Sequence, residues 1–527
     1  MKKLILLVSL VSFTMQAQNV TVNSGRSFTI QSTSSLTVGG NFSNNSGTVT
    51  LNSDATNYSS IIISGTVSDG SNITYNRYVN TVGDNEWDLI GSPVSGQLIS
   101  SFATTNAAPL ATGGGSGSDQ YAIGVYDNAT DTWTNYTTST IGSAGNFLLG
   151  TGYQMATDSG ASLAFTGSPV STTQTQAIIN NNGVVVGSAV GRRWNLVANP
   201  FPSYINGNDD AHSTNNFLTV NASKMDSPYV AIYGYDADGS GYTAYNHTYN
   251  SNTAVRIAPG QAFMVASNSA SSDNVSFTTA MRTVVGGDDL IVGDDIYDSQ
   301  EVVIKLYNDN TVIEEARFYF EDGLTLGLNP GYDAGAFSQS AAIMSRLVEE
   351  DEGVGFVINA MGTESMNSTV IPLVINQEAG QDFRVVLFTH TIPDNVNVYL
   401  EDNEQGTMTL LNVEDFELNP ESTLSEAGRF YLHLTEDTFS NEEVINTNLL
   451  NVFKANYNNF ITVEGLAVQS SETSVKLYSI LGTEVLSTVL NNSTNTQTIS
   501  TERLSTGIYV IKLQSGNNLL TKKLIIK

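Results

Sequence analysis

From residue 19 the apolar side chains come in short alternating pairs, in "VTVNSGRSFTIQSTSSLTVGGNFSNNSGTVTLNS". Val20, Val22, Phe28, Ile30, Leu36, Val38, Phe42, Val49 and Leu51 recur between turns rich in Gly and Asn. An alternation of period two sends successive side chains to opposite faces of a strand. Strands this short and this regularly spaced predict a small β-solenoid-like stretch, or an irregular β-sheet cap, over residues 18–76. Between 284 and 445, the runs "EVVIKLYN", "ARFYFED", "GFVINAM", "VIPLVIN", "FRVVLFT", "VNVYLED" and "RFYLHLT" are each bounded by turn residues. They predict a β-sandwich, with a short helix near 341–346 also compatible with the pattern. From 452 onward "FITVEGL", "VKLYSILGTEV", "GIYVIKLQSG" and "LLTKKLIIK" alternate again and predict a second, smaller sandwich over 452–527. In its last strand Leu520, Leu524 and Ile526 share one face, and Thr521, Lys523 and Lys527 share the other.

The stretch between the solenoid and the large sandwich repeats itself. "WDLIGSPVS" at 87–95 answers "WNLVANPFPS" at 194–203, and "YAIGVYDNATDTWTNY" at 121–136 answers "YVAIYGYDADGSGYTAYN" at 229–246. The offsets are 107 for Trp87 and Trp194, 109 for Tyr126 and Tyr235, 110 for Tyr153 and Phe263, and 112 for Phe165 and Phe277. They grow slowly and in order, as small loop insertions would make them. The reading is two copies of one all-β module, at 77–172 and 184–283. The fold class is therefore all-β: tandem sandwich-like modules between a solenoid-like start and a small C-terminal sandwich.

Composition sharpens this picture. The chain has 527 residues, 40% hydrophobic and only 14% charged, and no cysteine. Each domain must then be held by core burial, and thiol catalysis and thiolate metal sites are excluded. Residues 1–280 carry 15 acidic and 8 basic side chains, 281–451 carry 32 and 6, and 452–527 carry 4 and 7. The last segment differs in kind from the acidic sandwich before it, which places a boundary near 451. A net charge of -30 repels phosphate backbones, so nucleic acid is not an expected partner. The start, "MKKLILLVSLVSFTMQAQN", pairs two lysines with a short apolar run and reads as a secretory signal peptide over 1–17. Elsewhere no apolar run is long enough to be a transmembrane segment.

Residues 452–527 resemble the type A C-terminal sorting domain of the type IX secretion system of Bacteroidota. "VKLYSILGTEV" at 475–485, "LSTGIYVIKLQSG" at 504–516 and "KKLIIK" at 522–527 carry the resemblance. The usual Pro-Asn-Pro opening is replaced here by "VFKANYNN" at 452–459. The resemblance implies passage through the periplasm, recognition by the outer-membrane translocon, and a final location that is secreted or on the outer cell surface.

Candidate chemistry is sparse. His212, His247, His390 and His433 form no H-E-x-x-H pair, and no G-x-S-x-G elbow or P-loop occurs. No catalytic or cofactor-binding residue is assigned. "DADGSG" at 236–241 matches the first half of a calcium loop, with Asp236, Asp238 and Ser240 as oxygen donors. Its twelfth position is His247, where a bidentate Glu belongs. Calcium is the one cofactor this pattern admits, here or at the acidic cluster Asp288, Asp289, Asp294, Asp295 and Asp298. That cluster otherwise reads as a solvated linker, and "EEDEG" at 349–353 as a hairpin tip with its charges in water. The module aromatics read as core, with a sugar platform as the alternative. The functional expectation is a non-catalytic surface interaction or adhesion protein with a glycan or protein ligand. The alternative is a secreted glycan-binding accessory protein or hydrolase.

Overall fold

The computed structural model describes residues 14–81, 87–113, 119–181, 192–236, 241–247, 254–289, 300–436, 450–454, 460–479, 483–516 and 518–526. The chain divides into two compact units, one running from the start to Ile296 and the other from Tyr297 to Lys527, apart from short segments exchanged between them.

The first unit opens with a parallel solenoid. Thr14–Ala17, Ser35–Val38 and Ser60–Ile63 stack in register on one side. Val20–Asn23 pairs with Phe42–Asn45 on a second side. Ser27–Ile30, Thr48–Asn52 and Ile73–Val79 stack on a third. Inward positions hold Leu36, Val38, Phe42, Val49, Leu51, Ile61, Ile63 and Tyr75, all nearly inaccessible. Amide ladders tie successive coils at the corners. Asn52 donates to Gln31 at 3.1 Å and Asn76 to Asn52 at 2.9 Å.

The third side does not stop at the solenoid. Ala161–Pro169 pairs antiparallel with Ile73–Val79, and Val94–Ser95 pairs with its far edge, giving a five-stranded sheet. Inward, Phe28, Ile30, Leu51, Tyr75, Leu163 and Phe165 join one core. Outward, the registers align Thr29, Thr50, Thr74 and Thr166 in one row and Gln31, Asn52, Asn76 and Ala164 beside it. Ser27 and Thr48 lie on the same face, as do Ser162, Ser168 and Ser95. None of these outward positions carries a charge.

A five-stranded and a four-stranded sheet follow. The first holds Asp88–Ile90, Tyr153–Met155, Gln120–Asp127 and Thr132–Thr137, with Thr112–Gly113 also paired to Gln120–Asp127; the second orders Trp194–Ala198, Ala262–Ala266, Ile232–Asp236 and Gly241–Tyr245. Their registers coincide. Ile90 faces Tyr153 as Val197 faces Phe263, Gly124 faces Gln154 as Tyr233 faces Met264, and Tyr126 faces Trp133 as Tyr235 faces Tyr242. Each also has an outlying strand pair. Phe165 faces Tyr75 in one, and Phe277 faces Gln174 in the other. The strand Gln174–Ile178 lies ahead of residue 184, where the sequence reading starts its second module.

The second unit holds an eleven-stranded sheet with Gln300–Asn308, Thr311–Phe320, Ser368–Ile375 and Phe430–Thr435 near its middle. Residues 341–346 are not helical: Ile343–Ser345 is a strand paired with Ser368–Ile375. Its Ile343 and Met344 are buried on opposite faces, which an isolated helical turn would not allow. Two further sheets, 451–500 and 473–526, enclose a separate core of Val452, Ile461, Val463, Val475, Leu477, Ile511, Leu513, Leu524 and Ile526.

Candidate functional site

The C-terminal sandwich owes its shape to strict alternation. In Gly507–Ser515 the residues Tyr509, Ile511, Leu513 and Ser515 are buried, while Ile508, Lys512 and Gln514 are exposed. Gly507–Ser515 pairs with Thr473–Ser479 on one side and with Asn518–Ile526 on the other. The last strand is an edge, and an open edge invites pairing with other chains.

That edge meets the large sandwich of the same unit. Lys522 has the inward parity of Leu520, Leu524 and Ile526, so a cation sits where an apolar residue is expected. Its Nζ donates to the Asn451 Oδ1 at 3.2 Å. The Asn451 amide donates in turn to the Asp351 carboxylate at 3.2 Å, and Arg346 lies 3.7 Å from the other Asp351 oxygen. The Arg346 guanidinium covers the Phe453 ring at 4.8 Å. Gly353 is required beside it, because a Cβ there would fall 2.4 Å from that ring. Lys523, on the outward face, reaches Glu350 at 2.7 Å. A second patch joins Thr496 to Glu426 at 2.6 Å.

"EEDEG" is therefore not a tip with all its charges in water. The Asp351 side chain has no exposed surface, because its partners come from the next domain and from Arg346. Burial pushes the Glu464 carboxyl up to about 8, against the pull of Arg346, and burial also lowers the Lys522 ammonium. A carboxyl raised in this way stabilises the contact below its ordinary range, and that contribution is lost as pH rises through about 8.

The first unit contains a second buried ionic cluster. Arg77 is fully inaccessible and donates to the Pro259 carbonyl at 3.0 Å, the Tyr78 carbonyl at 2.7 Å and Asp289 at 2.7 Å. Its guanidinium lies 4.1 Å over the Tyr58 ring. Asp288 and Asp289 thus belong to a folded element and not to a solvated linker, whereas Asp294, Asp295 and Asp298 lie outside the described residues. Burial, with the Asp289 charge, pushes Asp88 up to about 7, and Asn80 donates to both of its oxygens.

Of the calcium candidates, Asp236 ends the strand Ile232–Asp236, and Asp238 and Ser240 lie outside the described residues. His247 meets Asp209 at 3.0 Å. Among the described residues no cluster of three His, Asp or Glu side chains converges as metal ligands do. Two of the other histidines are placed by polar neighbours. His433 is buried 2.7 Å from Glu401, and the His212 Nδ1 accepts from the Asn215 amide at 3.1 Å. Trp194 is 1% exposed and packs edge-on against Tyr233 at 4.6 Å. Trp87 is half-buried against the first core. A groove of about 350 Å³ in the large sandwich is lined by Asp309, Asp382, Phe383, Arg384, Glu417, Leu418 and Asn419. The hydrogen bond of Asp351 with Asn451 and the ion pair of Arg77 with Asp289 were missed from sequence, because partners 100 and 212 residues away leave no local pattern.

Comparison with known proteins adds two family matches. A model described as Domain of unknown function (DUF8693) matches residues 6–434, and one described as Secretion system C-terminal sorting domain matches residues 455–527. No curated protein matches. Among solved structures, dimeric latent PorU from Porphyromonas gingivalis is similar at 12% identity and a TM-score of 0.13, over 48% of this chain and 31% of that one. The chain thus spans less than a third of that structure's length. The BSP domain of a biofilm-associated protein is similar at 10% identity and a TM-score of 0.16, over 85% of this chain and 92% of that one.

Proposed function

The chain belongs to the DUF8693 family and ends in a secretion-system sorting domain, and from that premise we propose a type IX cargo whose work outside the cell is non-catalytic surface interaction. Export to the surface or the medium follows from the sorting domain itself. No helix among the described residues is long and apolar enough to cross a membrane. Residues 1–17 act as the leader that delivers the chain to the periplasm, its removal taking away the strand Thr14–Ala17 beside Ser35–Val38, and 18–451 are the cargo.

The observation that carries the interaction reading is the uncharged outward face of the five-stranded sheet. A chain of net charge -30 keeps charge off this face, where rows of Thr, Ser, Asn and Gln stand at the spacing of paired strands, about 4.8 Å. Hydroxyl and amide groups donate and accept alike and suit a neutral, hydroxyl-rich ligand. A glycan array probed with the mature protein, with and without calcium, tests the reading. Neutral polysaccharides should be retained, and T50K/T74K should weaken retention at least tenfold. Unchanged binding by that variant would remove the face from the account.

The hydrolase reading has one observation in its favour, the groove with Asp309, Asp382 and Glu417 on its wall. Two carboxylates flanking a sugar are the minimum for glycoside hydrolysis. Release of reducing sugar that is lost in both D382N and E417Q would favour it over adhesion.

A further inference from the structure

We propose that mature chains join head to tail, the free edge of Gln174–Ile178 in one copy taking the solenoid strand Ser27–Ile30 of the next. Gln174–Ile178 stands to the second module as Ile73–Val79 stands to the first. Phe277 faces Gln174 as Phe165 faces Tyr75, and two residues on Val275 faces Gln176 as Leu163 faces Arg77. Both of those side chains cross to the other module. Arg77 donates to the Pro259 carbonyl at 3.0 Å, and Gln176 accepts from the Thr151 hydroxyl at 3.0 Å. In the first module the far edge of this strand is filled, with Thr74, Tyr75 and Asn76 paired to Thr50, Leu51 and Asn52 of the solenoid. In the second the same edge, at Thr173, Gln174 and Thr175, has no partner strand among the described residues.

The chain itself thus shows what fills such an edge, a strand of the solenoid, and the solenoid ends on a strand that is open. Ser27–Ile30 is the last strand of the five-stranded sheet and pairs, among the described residues, only with Thr48–Asn52. Loss of Thr14–Ala17 with the leader also bares Ser35–Val38 on the neighbouring side. Val20 and Phe28 are only half-buried in this last coil, and a following molecule would cover them. An unpaired edge offers N–H and C=O groups to any strand that fits, and proteins that stay single guard it with lysine or proline. Neither Ser27–Ile30 nor Gln174–Ile178 contains a charge or a proline, in a chain of net charge -30. Their parities also agree. Ser27 and Thr29 are exposed with Ile30 buried between the sheets, and Thr175 and Ala177 are exposed with Ile178 buried. Joining the two edges therefore continues both the core and the uncharged outer face from one molecule into the next. Main-chain hydrogen bonds supply the affinity, as in other strand additions. Because the two edges differ, the contact leaves one of each free at the ends and builds open chains.

The test is sedimentation of the mature full-length protein, with no glycan present. Its mean mass should rise with concentration between about 1 and about 100 µM, past the mass of two chains. T173K/T175K and S27K/T29K each place two charges on one edge. Each variant alone, folded by circular dichroism, should need at least about tenfold more protein to associate. Mixed in equal amounts, the two variants keep one sound edge apiece and should form pairs and nothing longer. An unmodified protein that stays single throughout this range overturns the proposal. So does a mixture that stays single while the unmodified protein associates. If T173K/T175K loses association and S27K/T29K keeps it, the second-module edge pairs with its own kind, and the solenoid strand is not its occupant.

Discussion

Segments 73–169 and 174–277 place four corresponding strands in the same order and register, yet among the described residues only the first is continuous with a larger sheet. In the first, Ile73–Val79 is the last coil of the solenoid as well as the partner of Ala161–Pro169. In the second, Gln174–Ile178 pairs, among the described residues, only with Asp273–Phe277. Beneath that difference the contacts repeat. The Asn106 amide donates to the Phe102 and Ala164 carbonyls and its oxygen accepts from the Ala164 amide. Asn221 does the same with Phe217 and Ser276. The segments also meet reciprocally. The Gly91 amide donates to the Gly260 carbonyl at 2.7 Å and the Ala198 amide to the Gly150 carbonyl at 2.8 Å, while Ile90 bridges Gln261 and Val197 bridges Thr151. Reciprocity of this kind marks a two-fold relation between like surfaces. We infer that one module was duplicated and that the copies pack face to face. Gly91 fits that arrangement, since a Cβ there would lie 2.4 Å from the Ala198 Cβ. Continuity with the solenoid is then an addition to the first copy, made through a strand edge whose counterpart in the second copy has no further partner among the described residues.

The largest test of the comparison is the tryptophan pair. Trp194→Ala empties a closed core site and should cost about 3–5 kcal/mol. Trp87→Ala, at a half-buried site, should cost about half of that. Denaturant midpoints of the unit that carries both decide this. Equal costs would mean that Trp87 is as enclosed as Trp194.

Next come the paired asparagines. Asn106→Ala and Asn221→Ala each strand buried backbone groups and should cost about 1–3 kcal/mol. If the copies are equivalent, the two losses agree to within about 0.5 kcal/mol. A loss confined to one site would break the equivalence.

A smaller effect isolates the point where the copies diverge in charge. Asp88 stands where the second copy has Asn195. Asp88 accepts from the Asn80 amide at 2.8 Å, and Asn195 accepts from the Ile179 amide at 2.9 Å. At this position only the first copy carries a group that titrates. The folded Asp88 carboxyl is raised from 3.8 to about 7, so the stability it contributes is full at low pH and is lost as pH rises through about 7. D88N should therefore be the more stable chain at pH 8, and its advantage should vanish near pH 4. Parallel pH profiles of the two chains would contradict this.

The smallest expected effect concerns the sequence 236–241 with Asp236, Asp238 and Ser240. Calcium there would raise the melting temperature of the second copy's unit by a few degrees over EDTA. Superimposable melts would end the calcium proposal.

Strand patterning was legible where a strand has one wet face, as in Gly507–Ser515, where buried and exposed positions alternate. It failed for Gln174–Ile178, where Ile178 is the only fully buried residue and the polar composition hides a strand. The sorting domain was legible because its motifs are local. The ionic core of Arg77 and Asp289 was not, because a buried pair between distant segments looks in sequence like two ordinary surface charges. Lys522 did leave a trace, a lysine at the parity of Leu520 and Leu524, and it holds the Asn451 that donates to Asp351 of the large sheet.

The division between cargo and label is tested most directly by a chain ending after residue 451, fractionated alongside the full-length protein. A folded, soluble protein is expected to be retained in the periplasm, with Glu350 released from Lys523 and the modules intact. Full-length levels of the shortened protein outside the cell would contradict it.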